Sequence, residues 1–142
     1  LFACELKAHM REFLKKHHHP ELLLTDVSMP EFQTAPRPHI FVAGFPCQPF
    51  SLAGLGQGLT DKKNRGTISA HLIRWIKRVR PHTFILENVE GLLGMHYETL
   101  EAILTALRFT DKKGERVYGT NIKLLNAKHF GVPQVGTRRQ IG

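Results

Sequence analysis

The strongest constraint on this chain is a repeated pairing: a short apolar run that ends on one polar residue, then a stretch with helical periodicity. Leu1-Phe2-Ala3-Cys4 ends at Glu5, Leu22 to Thr25 ends at Asp26, His39 to Gly44 runs into Phe45-Pro46-Cys47, and Thr83 to Leu86 delivers Glu87-Asn88. After the first run, Leu6, Met10, Phe13 and Leu14 recur at helical spacing opposite Lys7, Arg11 and Lys15, until Pro20. Thr67 to Val79 puts Ile68, Leu72, Trp75, Ile76 and Val79 on one face and ends at Arg80-Pro81; Glu98 to Leu107 does the same with Leu100, Ile103, Leu104 and Leu107. Asn121 to Leu125 and Arg139 to Ile141 read as further strands. Strands alternating with helices predict an α/β, doubly wound sheet. Ligands of such sheets sit beyond the carboxyl ends of the strands. Glu5, Asp26, Cys47 and Glu87 are therefore expected along one edge.

Finer expectations follow. The run HIFVAG, apolar at nearly every position, predicts a strand buried on both faces. Pro30, Pro36 and Pro38 predict a loop. Phe45 to Gly66, with Gly54, Gly56, Gly58 and Gly66, predicts a long functional loop.

With 142 residues and 42% hydrophobic content, the chain can build one core and hardly two, so 1–142 reads as one domain. It opens and closes inside apparent strands, which predicts a part of a longer protein. The formal charge of +8 favours a polyanionic partner. No apolar run is long enough to span a membrane and no stretch has the layout of a signal peptide. Two cysteines make no disulfide framework, so a reducing compartment is expected, with no secretion. His17-His18-His19 lacks an ordered ligand set; it reads as a loop, and no metal is expected.

The two cysteines differ. Cys4 reads as an inert small hydrophobe. Cys47 lies between Pro46 and Gln48-Pro49, which stiffen the backbone, and the glycine-rich segment beyond gives access. A reachable thiolate is a competent nucleophile. Gly54-Leu55-Gly56-Gln57-Gly58 follows that cysteine instead of joining a strand to a helix, so it reads as hinge material and not as a dinucleotide-binding turn.

Pro46-Cys47-Gln48-Pro49-Phe50-Ser51 resembles the catalytic signature of the C5-cytosine methyltransferases. Glu87-Asn88-Val89 at the end of the next strand, and the order of the two motifs, are similar to that family as well. Asp61 through Arg65-Gly66-Thr67 resembles its next motif, and Gly131-Val132-Pro133-Gln134 with Arg138 and Arg139 resembles its arginine motif. The likeness covers nearly the whole chain.

The resemblance implies a Rossmann-like core that uses S-adenosylmethionine, here without its first strand and glycine-rich motif and without the target-recognition region. It implies that the Cys47 thiolate adds to C6 of a flipped cytosine in DNA. Glu87 would hydrogen-bond N3 and share its proton, and Arg138 would stabilise charge developing near O2. Asn88 would hold the loop in place. Glu5 would bind ribose hydroxyls and Asp26 the adenine amino group; Leu6 and Val27 would flank the adenine, and Pro46 and Ile68 would line the pocket. Gln48 and Ser51 would approach the flipped nucleotide. Lys62, Lys63, Arg65 and Arg139 would contact the nucleic acid, whereas Arg74, Lys77 and Arg78 read as a solvated helix face.

The arginine motif departs from the family's spacing: the slot two residues after Gln134 is Gly136, and a two-residue insertion would align Arg139 instead of Arg138 with one of its slots. Rival readings are the same chemistry on tRNA, for which Thr would usually stand at Ser51; a non-catalytic nucleic-acid-binding remnant; and a redox thiol, for which no resolving cysteine lies near Cys47. The compartment would be a nucleus in a eukaryote and the cytoplasm in a bacterium.

Overall fold

A computed structural model describes residues 1–45, 68–89, 97–131 and 137–141, with side chains outside 89, 98, 99, 127, 128 and 137–141. Its elements in chain order are β1 (Phe2–Cys4), α1 (Ala8–His18), β2 (Leu22–Leu24), α2 (Pro30–Gln33), β3 (Ile40–Gly44), α3 (Ile68–Val79), β4 (Thr83–Val89), α4 (Tyr97–Leu107), β5 (Ile122–Asn126), a 3-10 turn (Ala127–Phe130) and β6 (Thr137–Ile141).

The strands form two sheets. β1 pairs in parallel with β2, Cys4 opposite Leu24. The larger sheet has the order β3-β4-β6-β5, with β3 and β4 parallel and β6 antiparallel to both neighbours. Aromatic rings tie the sheets together: Phe2 of β1 lies 6.4 Å from Phe41 of β3 and 5.8 Å from Trp75 of α3. Trp75, with no exposed surface, is also 4.6 Å from Phe41 and 5.6 Å from Phe32.

The helical periodicities have the expected consequence in α3 and α4. Leu72, Trp75, Ile76, Leu100, Ile103, Leu104 and Leu107 are all buried, and Ile68 and Val79 pack on the same core. Arg80 ends α3 with φ 53°, its N–H bonding Ile76 O at 2.9 Å, immediately before Pro81. Tyr118 donates to Pro81 O at 2.6 Å and packs edge-on to Phe84, fastening this turn to the segment after α4. Arg74, Lys77 and Arg78 are exposed, as a solvated face requires.

Five expectations need correction. β3 is buried on one face only: Phe41 points into the core, while Ile40 and Val42 are 60% and 64% exposed. An apolar run reads as two-sided burial, yet among the described residues only the α3 side is covered. The apolar stripe of α1 stays outside the core as well, with Leu6, Met10 and Phe13 exposed and no residue of the helix buried. The proline-rich segment holds one helical turn: Pro30 occupies its first turn, where a missing N–H costs nothing, and Phe32 anchors it in the core. The histidine run closes α1 instead of forming a loop. His19 takes a left-handed conformation (φ 45°) and donates its N–H to Leu14 O. Finally, β4 continues to Val89, because β6 pairs with Leu86–Val89 and keeps the chain extended past its expected end. The long loop expected from Phe45 to Gly66 lies, beyond Phe45, outside the described residues.

Candidate active site at the carboxyl ends of the strands

The expected catalytic edge is organised by the register of β3 and β4. Gly44, the last residue of β3, lies opposite Glu87. The chain therefore leaves β3 toward Cys47 directly beside that carboxyl group. Space is tight: a Cβ at Gly44 would lie 3.2 Å from Glu87 Oε2. One residue further, the buried Asn88 amide donates to Phe45 O at 3.0 Å. Cys47 itself, with Pro46, Gln48, Ser51, Lys62, Lys63 and Arg65, lies outside the described residues.

On the other side of β4, position 138 of β6 lies opposite Val89, and position 139 opposite Asn88. Successive strand positions alternate between faces. Position 138 therefore shares its face with Glu87, and position 139 shares the opposite face with Asn88. The register favours Arg138 over Arg139 as the arginine on the carboxylate side.

The second edge is formed by β1 and β2. The Glu5 N–H donates to Leu24 O at 3.1 Å, so Glu5 begins where the β1–β2 ladder ends. Its Oε1 accepts the Lys7 N–H at 2.8 Å, and Arg11 holds the carbonyl groups of Glu5 and Leu6. Asp26, two residues past β2, accepts both the N–H and the hydroxyl of Ser28 on Oδ1 at 2.8 Å. These two bonds hold its carboxyl below the usual carboxylate range, with a smaller pull from His71 of α3. Burial pushes His71 down, Arg74 pushes it further and Asp26 opposes them. Burial also pushes the Cys4 thiol up to about 11, with Asp26 and then Glu5 adding to the shift. Cys4 is thus protonated and inert near neutral pH, as its sequence context suggests, and it senses both carboxylates.

A cavity of about 920 Å³ opens between β1 and β3, lined by Glu5, Val27 and Ile68 among others. That volume suits a small organic ligand. Two carboxylates at neighbouring strand ends suit hydroxyl and amino donors. This donor set fits a nucleoside-type cofactor. Of the expected pocket residues, Leu6 and Asp26 do not line the cavity, and Leu6 is 68% exposed. Among the described residues, no group of three or more His, Cys, Asp or Glu side chains could hold a metal ion. No helix among them is long and apolar enough to cross a membrane.

Sequence reasoning missed Gly44. Glycine at a strand end is unremarked until register puts it beside a carboxylate, and register is not written in either strand alone.

Residues 1–141 match the family model of the C-5 cytosine-specific DNA methylases. The chain is 37% identical over 142 residues to Type II methyltransferase M.NgoBV of Neisseria gonorrhoeae, covering 94% of this chain and 32% of that protein. It is 43% identical over 108 residues to Type II methyltransferase M.BanI of Aneurinibacillus aneurinilyticus, covering 75% and 22%. The fold resembles the Dnmt2 methyltransferase of S. pombe (TM-score 0.62, 16% identity, 98% of this chain and 40% of that one). It also resembles a Spodoptera frugiperda DNMT2 mutant (TM-score 0.61, 19% identity, 99% and 41%). The chain thus spans about a third of the length of the first curated relative it matches. From the family match over residues 1–141, the chain belongs to the C5-cytosine-specific DNA methylases.

Proposed function

We propose that residues 1–142 form part of the catalytic domain of an enzyme that transfers a methyl group from S-adenosylmethionine to C5 of cytosine in DNA. The observation that carries this reading is the Gly44–Glu87 register, which sets a carboxyl group beside the strand end leading to Cys47.

In this reading the Cys47 thiolate bonds to C6 of the flipped base and raises electron density at C5. The Glu87 carboxyl group donates to N3 as negative charge accumulates there. Arg138, on the same face of the sheet, stabilises the charge that reaches O2. Glu5 and Asp26 orient the cofactor through its hydroxyl and amino groups, with Val27, Ile68, Leu6 and Pro46 as apolar neighbours. Bound there, the cofactor supplies an activated methyl group. A base then removes the C5 proton, and expulsion of Cys47 restores the aromatic ring. Gln48 and Ser51 approach the flipped nucleotide, and Lys62, Lys63, Arg65 and Arg139 pair with phosphates.

The test uses the full-length protein and a duplex with 5-fluorocytosine at its target. Fluorine cannot leave as a proton does, so a denaturant-stable adduct accumulates. Cys47→Ala is expected to abolish it, and Glu87→Gln to slow it by about 10²–10⁴-fold. An adduct that survives Cys47→Ala overturns the nucleophile assignment. Trapping of tRNA but not DNA would replace the substrate class; Ser51, where tRNA-acting relatives usually carry Thr, supports DNA.

A further inference from the structure

We infer that Asn88 is a positioning residue for the nucleophile, acting through the carbonyl group of Phe45. This rests on the reading of Cys47 and Glu87 given above.

The backbone ladder between β3 and β4 runs from Ile40–Thr83 to Gly44–Glu87 and stops there. β4 itself continues, because β6 still pairs with Asn88 and Val89. At the first position beyond the ladder a side chain takes over. Asn88 Nδ2 reaches across to Phe45 O at 3.0 Å, joining residues 43 apart in sequence. The contact is dry: Asn88 is 3% exposed and Phe45 is 8% exposed. A buried carbonyl without a donor is costly, so this bond selects where the chain goes after β3. Phe45 is two residues from Cys47. Asn88 is next to Glu87 on a strand held from both sides. One amide therefore references the segment carrying the thiol to the strand carrying the acid. Glu87 acts on the base directly; Asn88 sets the frame in which thiol and acid meet it.

The chemistry of the bond supplies the test. Asn88→Asp keeps the size of the side chain, but its carboxylate offers the Phe45 carbonyl only lone pairs. When protonated, it can donate again. In the full-length enzyme, Asn88→Asp is expected to slow adduct formation with 5-fluorocytosine DNA by about 10²-fold at neutral pH, the scale of a misplacement of about 1 Å. Part of that loss should be recovered as pH falls and the buried carboxyl takes up its proton, whereas Asn88→Ala should show no such recovery. Cofactor affinity and thermal midpoint serve as controls for folding. A loss that is the same in Asp and Ala at every pH, and that tracks the thermal midpoint, would reduce Asn88 to a stabilising residue and overturn the inference.

A second arm needs no turnover. Iodoacetamide alkylation followed by peptide mapping reads the exposure and orientation of each thiol. Cys47 should change its rate several-fold in Asn88→Asp while Cys4 does not. An unchanged Cys47 rate overturns the inference even if the enzyme methylates DNA. A changed rate in a protein that never forms an adduct supports it while overturning the proposed reaction.

Discussion

The two edges of the molecule hold their carboxylates in different ways. Glu87 is inside a ladder: β3 lies on one side, β6 on the other, and Gly44 faces it directly. Glu5 and Asp26 lie beyond the ends of three-residue strands and are held by local bonds, Glu5 by Lys7 and Asp26 by Ser28. A ladder fixes a residue to within a fraction of an ångström through partners far away in sequence. A turn fixes it through its immediate neighbours and leaves it adaptable. The first arrangement suits a group that must meet a reacting atom. The second suits a group that only has to recognise hydroxyl or amino donors.

The largest effect of breaking this contrast is expected at Gly44. Gly44→Val would push side-chain carbon atoms into the Glu87 carboxylate and should slow adduct formation by about 10²-fold in the full-length enzyme. Gly44→Ala, with a Cβ 3.2 Å from Oε2, should be milder. Wild-type rates in both would show that the ladder does not position the acid. At the turn-held edge, Asp26→Ala should weaken S-adenosylmethionine binding by about tenfold, within the range for a hydrogen bond to a charged group. Calorimetry would measure it, and an unchanged Kd would remove Asp26 from the pocket.

The smallest effect concerns pH. His71 is pushed below its ordinary value of 6.5, chiefly by burial, so the unfolded chain binds the proton more readily than the folded one. Its contribution is present above that value and is lost as pH falls through it toward the folded-state value. Asp26 is lowered from 3.8 by the bonds from Ser28, so its contribution is present above that value and disappears only in stronger acid. Urea midpoints should therefore fall gently below about pH 6.5 in the wild type and less steeply in His71→Gln. Parallel slopes would mean that His71 titrates alike in both states.

How much of this was legible in advance depended on the range of the signal. α3 and α4 could be read because their stripes record which face is buried, and Trp75, Ile76, Ile103 and Leu107 are indeed fully enclosed. α1 carries a similar stripe and stays exposed, since a stripe states a capacity for burial and not the presence of a partner. β3 misled for the same reason: Ile40 and Val42 are apolar, but no described element covers them. Pro30 was ambiguous because proline both breaks helices and starts them.

For the site, sequence alone determined the chemistry on offer. It includes a cysteine held between prolines, a glutamate at a strand end, two acidic residues after earlier strands and a motif order shared with the C5-cytosine methylases. These are properties of neighbouring residues, and local sequence records them. Tertiary structure decided the relations between them. Gly44 faces Glu87, Asn88 reaches Phe45, and position 138 rather than 139 shares the face of Glu87. Each relation depends on strand register, which is set by the packing of Phe41, Phe84 and Leu86 against α3 and α4 and by hydrogen bonds between segments far apart in the chain.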